Sequence, residues 1–388
     1  MSGLRYLTAG ESHGETLTGI LEGCPAGLVL TTADIDADLR RRQGGYGRGG
    51  RQSIERDAVR ILGGVRHGKT TGAPVALAVG NRDAANWAGT MAVGAPGDAD
   101  RAEPAVRIPR PGHADLGGAL LYGLEDIRDV IERASARETT MKVACGAVAK
   151  RLLAEIGCAV ASHVTAIGDV RTAAALTLDG VTAVEADPVR CADPVAGRRM
   201  CLAIDAAAEA GDTLGGVVEV LAFGPPPGLG TYVHGDRRLQ SRLAAAVMSV
   251  PAIKGVEFGL GFAAAGLPGS SVHDALGYRE GKGYVRETNK AGGIEGGMST
   301  GETIVVRAAM KPIATLRSPL RSVELETHRS VESRFERSDV CAVPAAGVVL
   351  EAVIALALAD AALERFGGTT VGELASGAER ARRRGLER

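Results

Sequence analysis

Two histidines, one aspartate and an unusual run of arginines are the groups in this chain that could move protons beside an anion. Glycines bracket the first histidine in Gly10-Glu11-Ser12-His13-Gly14 and leave its ring room to face a ligand. An imidazole titrating near pH 6.5 suits proton transfer at neutral pH, and the alternative is a hydrogen-bonding residue at a turn. His113 lies in the segment RIPRPGHAD (107–115), where prolines stiffen the backbone and present Arg110 and His113 together. Residues 40–51 set five arginines among five glycines, so the forks of Arg42 and Arg48 could converge on phosphate or carboxylate. A small polyanion fits that segment, with an RGG-like RNA contact as its rival. In Arg337-Ser338-Asp339-Val340-Cys341 the aspartate is either a turn cap or a carboxylate held ready as a base beside Arg337.

A further anion site is read at residues 289–315. Five glycines in the thirteen residues 289–301 let a backbone approach a ligand closely. The apolar, β-branched stretch 303–310 then reads as a buried strand delivering Lys311-Pro312-Ile313-Ala314-Thr315. A lysine charge, a threonine hydroxyl and the nearby glycine amides could hold a terminal phosphate without a Walker pattern, the alternative being a glycine-rich hairpin. Residues 126–156 read as one helix with only Gly146 interrupting the apolar spacing. Arg133 and Arg137 fall one turn apart on it, facing a ligand or forming a surface with Glu132 and Glu138.

The elements that must position these groups alternate without the βαβ regularity or the GxGxxG of a dinucleotide fold, so a doubly wound sheet is not expected. Strands are expected at 4–8, 17–21, 58–62, 74–79, 159–167 and 215–223, and helices at 34–42, 194–210, 236–250 and 345–366. Residues 92–105 read as an exposed, mobile loop in what is otherwise a single domain spanning 1–388.

Composition narrows the class. The 388 residues are 45% hydrophobic and 23% charged, as in a globular protein with a sizeable core. A net charge of −1 argues against broad electrostatic binding to nucleic acid or membrane, and 3% aromatics leave few rings to stack on single-stranded nucleic acid. Cys24, Cys145, Cys158, Cys191, Cys201 and Cys341 are scattered, so free and mostly buried thiols are expected and no metal site. No charged-then-apolar leader opens the chain, and no uninterrupted apolar run reaches the ~18 residues that span a bilayer, so a cytoplasmic location is expected.

Taken together, GESHG at 10–14, the arginine–glycine segment at 40–51, RPGHAD at 110–115 and RASARET at 133–139 resemble chorismate synthases. The glycine-rich run at 292–301, KPIAT at 311–315 and RSDVCAVPAAG at 337–347 extend that resemblance in the family's order. It implies an α+β sandwich of helices between antiparallel-rich sheets, with internal pseudo-symmetry, assembling as a homotetramer. The implied reaction is 1,4-anti elimination of phosphate from 5-enolpyruvylshikimate 3-phosphate to give chorismate, with reduced FMN as cofactor. By resemblance His13 protonates the departing phosphate, His113 faces the flavin near N1, and Asp339 assists removal of the C6 proton. Arg42, Arg48, Arg110, Arg133 and Arg337 would meet the substrate's anionic groups. Flavin would be held by Arg133, Ala134, Ser135, Pro251, Ala252, Gly296, Lys311, Pro312, Ile313, Ala314, Thr315 and Arg337. Pro251 departs from the amide residue common in relatives, which leaves a backbone contact there. NADPH enters only as a source of reduced flavin, and with no added reductase domain read in the chain, a separate flavin reductase is the expected supplier. The rival reading, a kinase or transferase without flavin, would use Mg²⁺-nucleotide.

Overall fold

Along Thr16–Glu22 the buried Leu17, Gly19 and Leu21 alternate with exposed or half-buried neighbours, the two-residue period of a strand covered on one face. This computed structural model describes residues 3–49, 56–94, 104–281, 283–336 and 338–386. Four strands, β1 (Arg5–Ala9), β2 (Thr16–Glu22), β3 (Val59–Gly63) and β4 (Val75–Gly80), form an antiparallel sheet in the order β1-β2-β4-β3. A second antiparallel sheet holds β5 (Ala159–Ile167), β6 (Gly216–Phe223), β7 (Ile253–Phe258) and β8 (Ile304–Met310) in the order β7-β8-β6-β5, with Val170–Arg171 beside β5.

The two sheets repeat one plan. Apart from the helix Pro194–Glu209 inserted between β5 and β6, each half of the chain runs strand, strand, helix, strand, strand, helix through its principal elements, and in each the fourth strand lies between the second and third. The helices are α1 (Thr32–Gln43) and α2 (Thr139–Ala154) in the first half, and α3 (Leu239–Met248) and α4 (Val343–Phe366) in the second. Helix α2 packs on β2, β4 and α4, while α4 packs on β5, β6 and α2, so helices lie between two sheets. The α+β sandwich and its internal pseudo-symmetry are therefore both present.

Close approach of α2 to α4 depends on Gly146, where a Cβ would collide with Ala352. At 24 residues α4 is long and apolar enough to cross a membrane by length and composition, yet it is buried in the centre of the sandwich. Its Glu351 is fully buried and meets Arg41 (2.8 Å), Lys150 (2.6 Å), Arg190 (3.1 Å) and Ser162 (2.7 Å). Burial alone would raise the Glu351 pKa, but Lys150, Arg41 and Arg190 outweigh it and hold the carboxyl well below its usual range. All six thiols are free, five of them buried.

The single helix expected over 126–156 is a correction. It is broken into Arg128–Arg133, a 3₁₀ turn at Ala136–Glu138, and α2. Ser135 takes an extended conformation (φ −61°, ψ 145°) and its hydroxyl accepts the Arg137 N–H, the local competition by which serine ends helices. Asp115–Tyr122, Val371–Leu386 and the hairpins at 276–286 and 321–332 were not anticipated.

Replacing Glu351 by Gln should destabilise the protein by about 3 kcal/mol at pH 7, because Arg41, Lys150 and Arg190 lose the buried carboxylate they share and keep only Asp38 and Glu185 among them. Glu351's own contribution is complete above its ordinary pKa of 4.5 and fades as pH falls below it, because the folded-state pKa lies lower. Thermal melts from pH 7 to 3 should therefore fall more steeply for the natural protein than for E351Q below pH 4.5. Parallel curves would contradict that account.

Candidate active site

The arginine–glycine segment leaves α1 and folds back against the approach to α4. Gly47 adopts φ +83°, and its carbonyl accepts the Val340 (2.8 Å) and Cys341 (3.2 Å) N–H groups. A side chain at Gly49 would press on the Ser338 carbonyl at 2.8 Å. These glycines are therefore required for contact, and contact places Arg48 on Asp339 (2.9 Å), whose other oxygen accepts the Gly49 N–H (2.7 Å). Arg42 is buried and bonds Asp57 (2.8 Å), while Arg137 bonds the other oxygen of the same carboxylate and Asn81 (2.9 Å). Burial raises the Asp57 pKa, but the two guanidiniums prevail and lower it. Arg42 titrates below its usual range because burial outweighs Asp57, and nearby Arg137 and Arg48 push the same way. Asn81 in turn donates to the carbonyls of Glu11 (3.2 Å) and Gly14 (2.6 Å), tying this cluster to the His13 loop.

His13 lies against Glu132, which is 3% exposed, with Nδ1 2.8 Å from either carboxylate oxygen. Trp87 packs beside the imidazole at 4.0 Å between ring centroids. Arg133, expected as a fork for an anion, instead donates to the Thr8 carbonyl (3.0 Å), the Thr8 hydroxyl (2.9 Å) and the Gly10 carbonyl (3.1 Å). The helix break after Ala134 turns its neighbours apart: Arg133 faces β1, and Ser135 donates to the Ser12 hydroxyl (3.1 Å). The two arginines thus do not share one exposed face. Glu138 pairs with Lys142 (3.1 Å) instead of either arginine.

His113 bonds the fully buried Asp115, as does Arg110 through Nε (2.8 Å). Arg110 also reaches His113 (3.0 Å), Glu336 (3.1 Å) and Thr315 (3.5 Å). Burial would raise the Asp115 pKa, but the bonds from His113 and Arg110 hold it well below the usual carboxylate range. For Arg110 burial lowers the pKa, and Asp115, Glu336 and the more distant Glu132 together turn the shift upward. Lys311 donates to the Gly112 carbonyl, and its pKa is lowered by burial and by Lys254. Ser338 donates to the Thr315 carbonyl (3.3 Å), joining this cluster to Asp339. A cavity of about 550 Å³ opens where they meet, lined by Arg48, Thr213, Thr315, Arg317, Ser338 and Asp339 among others.

Pro251 and Ala252 adjoin the same end of β8, since the Ala252 carbonyl accepts the Lys311 N–H (2.9 Å) and Thr213 bonds the Ile313 carbonyl (2.8 Å). Within the chain Gly296 lies away from that end of β8. It turns a small hairpin, Ile294–Glu295 with Met298–Ser299, and the neighbouring Gly297 carbonyl accepts the Leu239 N–H at the start of α3 (2.8 Å). The seven-residue strand β8, about 23 Å long, separates those glycine amides from Lys311 and Thr315 within the protomer. The glycine beside Lys311 is Gly112. Arg337, and residues 95–103 of the expected mobile loop, lie outside the described residues.

Asp57, Asp115, Trp87 and Arg317 were not singled out for roles from sequence, and Glu132 was read only as a surface partner of Arg133 and Arg137. Only Asp115 had a local signal, two residues beyond His113 in HAD. The others reach the site through contacts distant in sequence, apart from the Asp57–Arg42 pair, or by lining the cavity.

Two histidine–carboxylate pairs, and a cavity bordered by Arg48, Arg317 and Asp339, are groups suited to acid–base chemistry on an α+β sandwich. Residues 4–363 match the sequence profile of chorismate synthases. The chain is 58% identical over 365 residues to the chorismate synthase of Moorella thermoacetica, covering 94% of each. It is 55% identical over 383 residues to that of Geobacillus thermodenitrificans, covering 98% of this chain and 99% of the relative. A chorismate synthase crystal structure matches with a TM-score of 0.80 at 40% identity, covering 100% of both chains. The chain belongs to the chorismate synthase family and is a lyase of that family.

Changing Asp115 to Asn should cost about 3 kcal/mol in urea denaturation, because it leaves the buried Arg110 without its closest counter-charge. A loss below about 1 kcal/mol would mean that Glu336 alone can hold Arg110.

Proposed function

We propose that this lyase removes phosphate from 5-enolpyruvylshikimate 3-phosphate by 1,4-anti elimination, giving chorismate with reduced FMN present. The observation that carries the reading is the chain of contacts from His113 through Asp115, Arg110, Thr315 and Ser338 to Asp339 and Arg48 on the wall of a cavity, with His13 held on Glu132. A substrate with a phosphate and two carboxylates needs cations held in place and groups that give and take protons in a confined space.

The residues present suit the flavin. The cavity is within the range that holds cofactor-sized ligands. The Arg48 Nε is buried with no hydrogen-bond partner, while Thr315, Lys311 and Ser338 supply further donors. Lys311 to Thr315, Pro251, Ala252 and the Arg133–Ala134–Ser135 turn would hold it, and Arg337 joins them by resemblance. When bound, reduced FMN supplies transient electron density and is returned unchanged, so the reaction has no net redox change. His13 gives a proton to the phosphate oxygen as the C–O bond breaks, and Asp339 is the carboxylate beside the proton lost from C6. His113 maintains the protonation of the ring it faces. Arg48 and Arg110 meet the anionic groups, with Arg317 on the cavity wall. Arg42 and Arg133 serve as supports, because their forks are already committed to Asp57 and to β1.

The reading extends to assembly and setting: a cytoplasmic homotetramer receiving reduced flavin from a separate reductase. Support for assembly comes from Leu7 and Ile20, paired across β1 and β2, which together with Leu62 leave an apolar outer sheet face exposed.

Purified protein supplied anaerobically with FMN, dithionite and the phosphorylated enolpyruvyl substrate should develop chorismate absorbance. Activity that needs Mg²⁺-nucleotide and ignores reduced flavin would replace this reading with a kinase or transferase. Under the same conditions His13→Ala and His113→Ala should each lower turnover by roughly 10²-fold or more without unfolding the protein. Arg48→Ala should act mainly on KM, and unchanged substrate affinity would remove Arg48 from the anion site. In air, NADPH and FMN should give no product until a flavin reductase is added.

A further inference from the structure

Glu132 makes contacts that a merely space-filling carboxylate would not. Its Oε1 and Oε2 both lie 2.8 Å from His13 Nδ1, and Oε2 also accepts the His13 backbone N–H at 2.9 Å. Its own carbonyl accepts the Ser12 N–H at 3.1 Å. One residue near the end of the helix Arg128–Arg133 thus clamps both the backbone and the ring of the loop that carries His13. The tryptophan completes the seat: its ring stacks on the imidazole, its Nε1 donates to Asp83 (3.0 Å), and the Arg128 guanidinium lies 5.5 Å from its centroid.

Asp115 is divided between His113 and Arg110, whereas among the described residues Glu132 forms no ion pair with an arginine or lysine. Its carboxylate is directed at His13.

We propose that Glu132 is the positioning residue for His13, accepting the Nδ1 hydrogen so that Nε2 is the atom that exchanges a proton with the ligand. The proposal rests on the acid role assigned to His13 above. The charged ring carries hydrogens on both nitrogens. The one on Nε2 passes to the departing phosphate oxygen as that oxygen takes the C–O bonding pair. The neutral ring left behind keeps its hydrogen on Nδ1, against Glu132. Without that partner the ring is free to rotate and to keep its remaining hydrogen on either nitrogen, so a fraction of molecules presents the wrong atom.

The test uses the full chain in four forms: natural, E132Q, H13A and the double variant, E132Q being nearly the same size and shape so that folding is preserved. E132Q should lower kcat by about 10- to 100-fold, within the range of general acid catalysis, with KM, FMN affinity and melting temperature little changed. In the H13A background E132Q should cost nothing further, because a residue acting through His13 has nothing left to act on. Solid-state NMR of ¹⁵N-histidine-labelled protein, with the H13A spectrum as the assignment, should place the neutral ring's hydrogen on Nδ1, and E132Q should mix the tautomers. Losses that add in the double variant, a drop confined to KM or melting temperature, or an Nε2–H tautomer in the natural protein would each overturn the proposal. If instead the Nδ1 tautomer is found and H13A keeps full turnover, the acid role itself has failed and the catalytic claim on Glu132 falls with it.

Discussion

Contact between α2 and α4 at Gly146 and Ala352 is the constraint on which the site depends. Helices that touch backbone to side chain cannot slide or tilt without collision, so the segments entering their N-termini are fixed relative to one another. Those segments are the chemistry. The approach to α2 carries Arg110, His113, Glu132 and Arg133, and the approach to α4 carries Lys311, Thr315 and Asp339. They occupy equivalent places in the two repeats, each linking a fourth strand to its final helix. They also lie directly against each other: Arg110 reaches Thr315 and Glu336, Leu325 N–H bonds the Arg107 carbonyl, and Lys311 bonds the Gly112 carbonyl. Duplication of a simple sheet-and-helix plan thus yields a seam between unlike connections, and the candidate site is built along that seam.

Charge along the seam is balanced by specific pairing. Asp57 stands between Arg42 and Arg137, Asp115 between Arg110 and His113, Asp339 beside Arg48, and Glu132 under His13. Each acid is drawn from a different element from at least one of its partners, so the pairs also act as fasteners between loops. Dipoles and charges held this way need little reorientation when a ligand's charge changes, which is where a preorganised site gains over water.

Much of the sandwich was legible because strands and core helices announce themselves by period. Residues 159–167 form a strand with the expected bounds, and 194–210 and 345–366 form helices within two residues of them. The helix break at Ser135 was not legible, because RASARET is as acceptable to a helix as to a turn, and the tertiary bond from Ser135 to Ser12 favours the turn. Asp115–Tyr122 was hidden for a related reason: DLGGALLY contains two glycines that disfavour a helix locally. The histidines, Asp339 and the arginine–glycine segment stood out by type and spacing. Their partners did not, since nothing near Asp57 in sequence says that Arg137 will lie on it.

Arginine is where sequence and structure part most instructively. Five guanidiniums were read as forks for one small polyanion, and at least two of them hold the protein instead. Among the described residues Arg42 is buried on Asp57 with its Nε unpartnered, and Arg133 binds only β1 and the start of the following loop. A fork suits a carboxylate of the chain as well as one of a ligand, so residue type alone does not tell recognition from support. Burial together with partner does. Arg48 and Arg317 border a cavity, and Arg48 answers to a single aspartate, so a ligand can compete for part of its fork. Arg42 and Arg137 share a carboxylate with no water around it, and displacing either would strand a buried charge at a cost of several kcal/mol. The inner arginines therefore set the shape of the site, and the outer ones are left to meet what enters it.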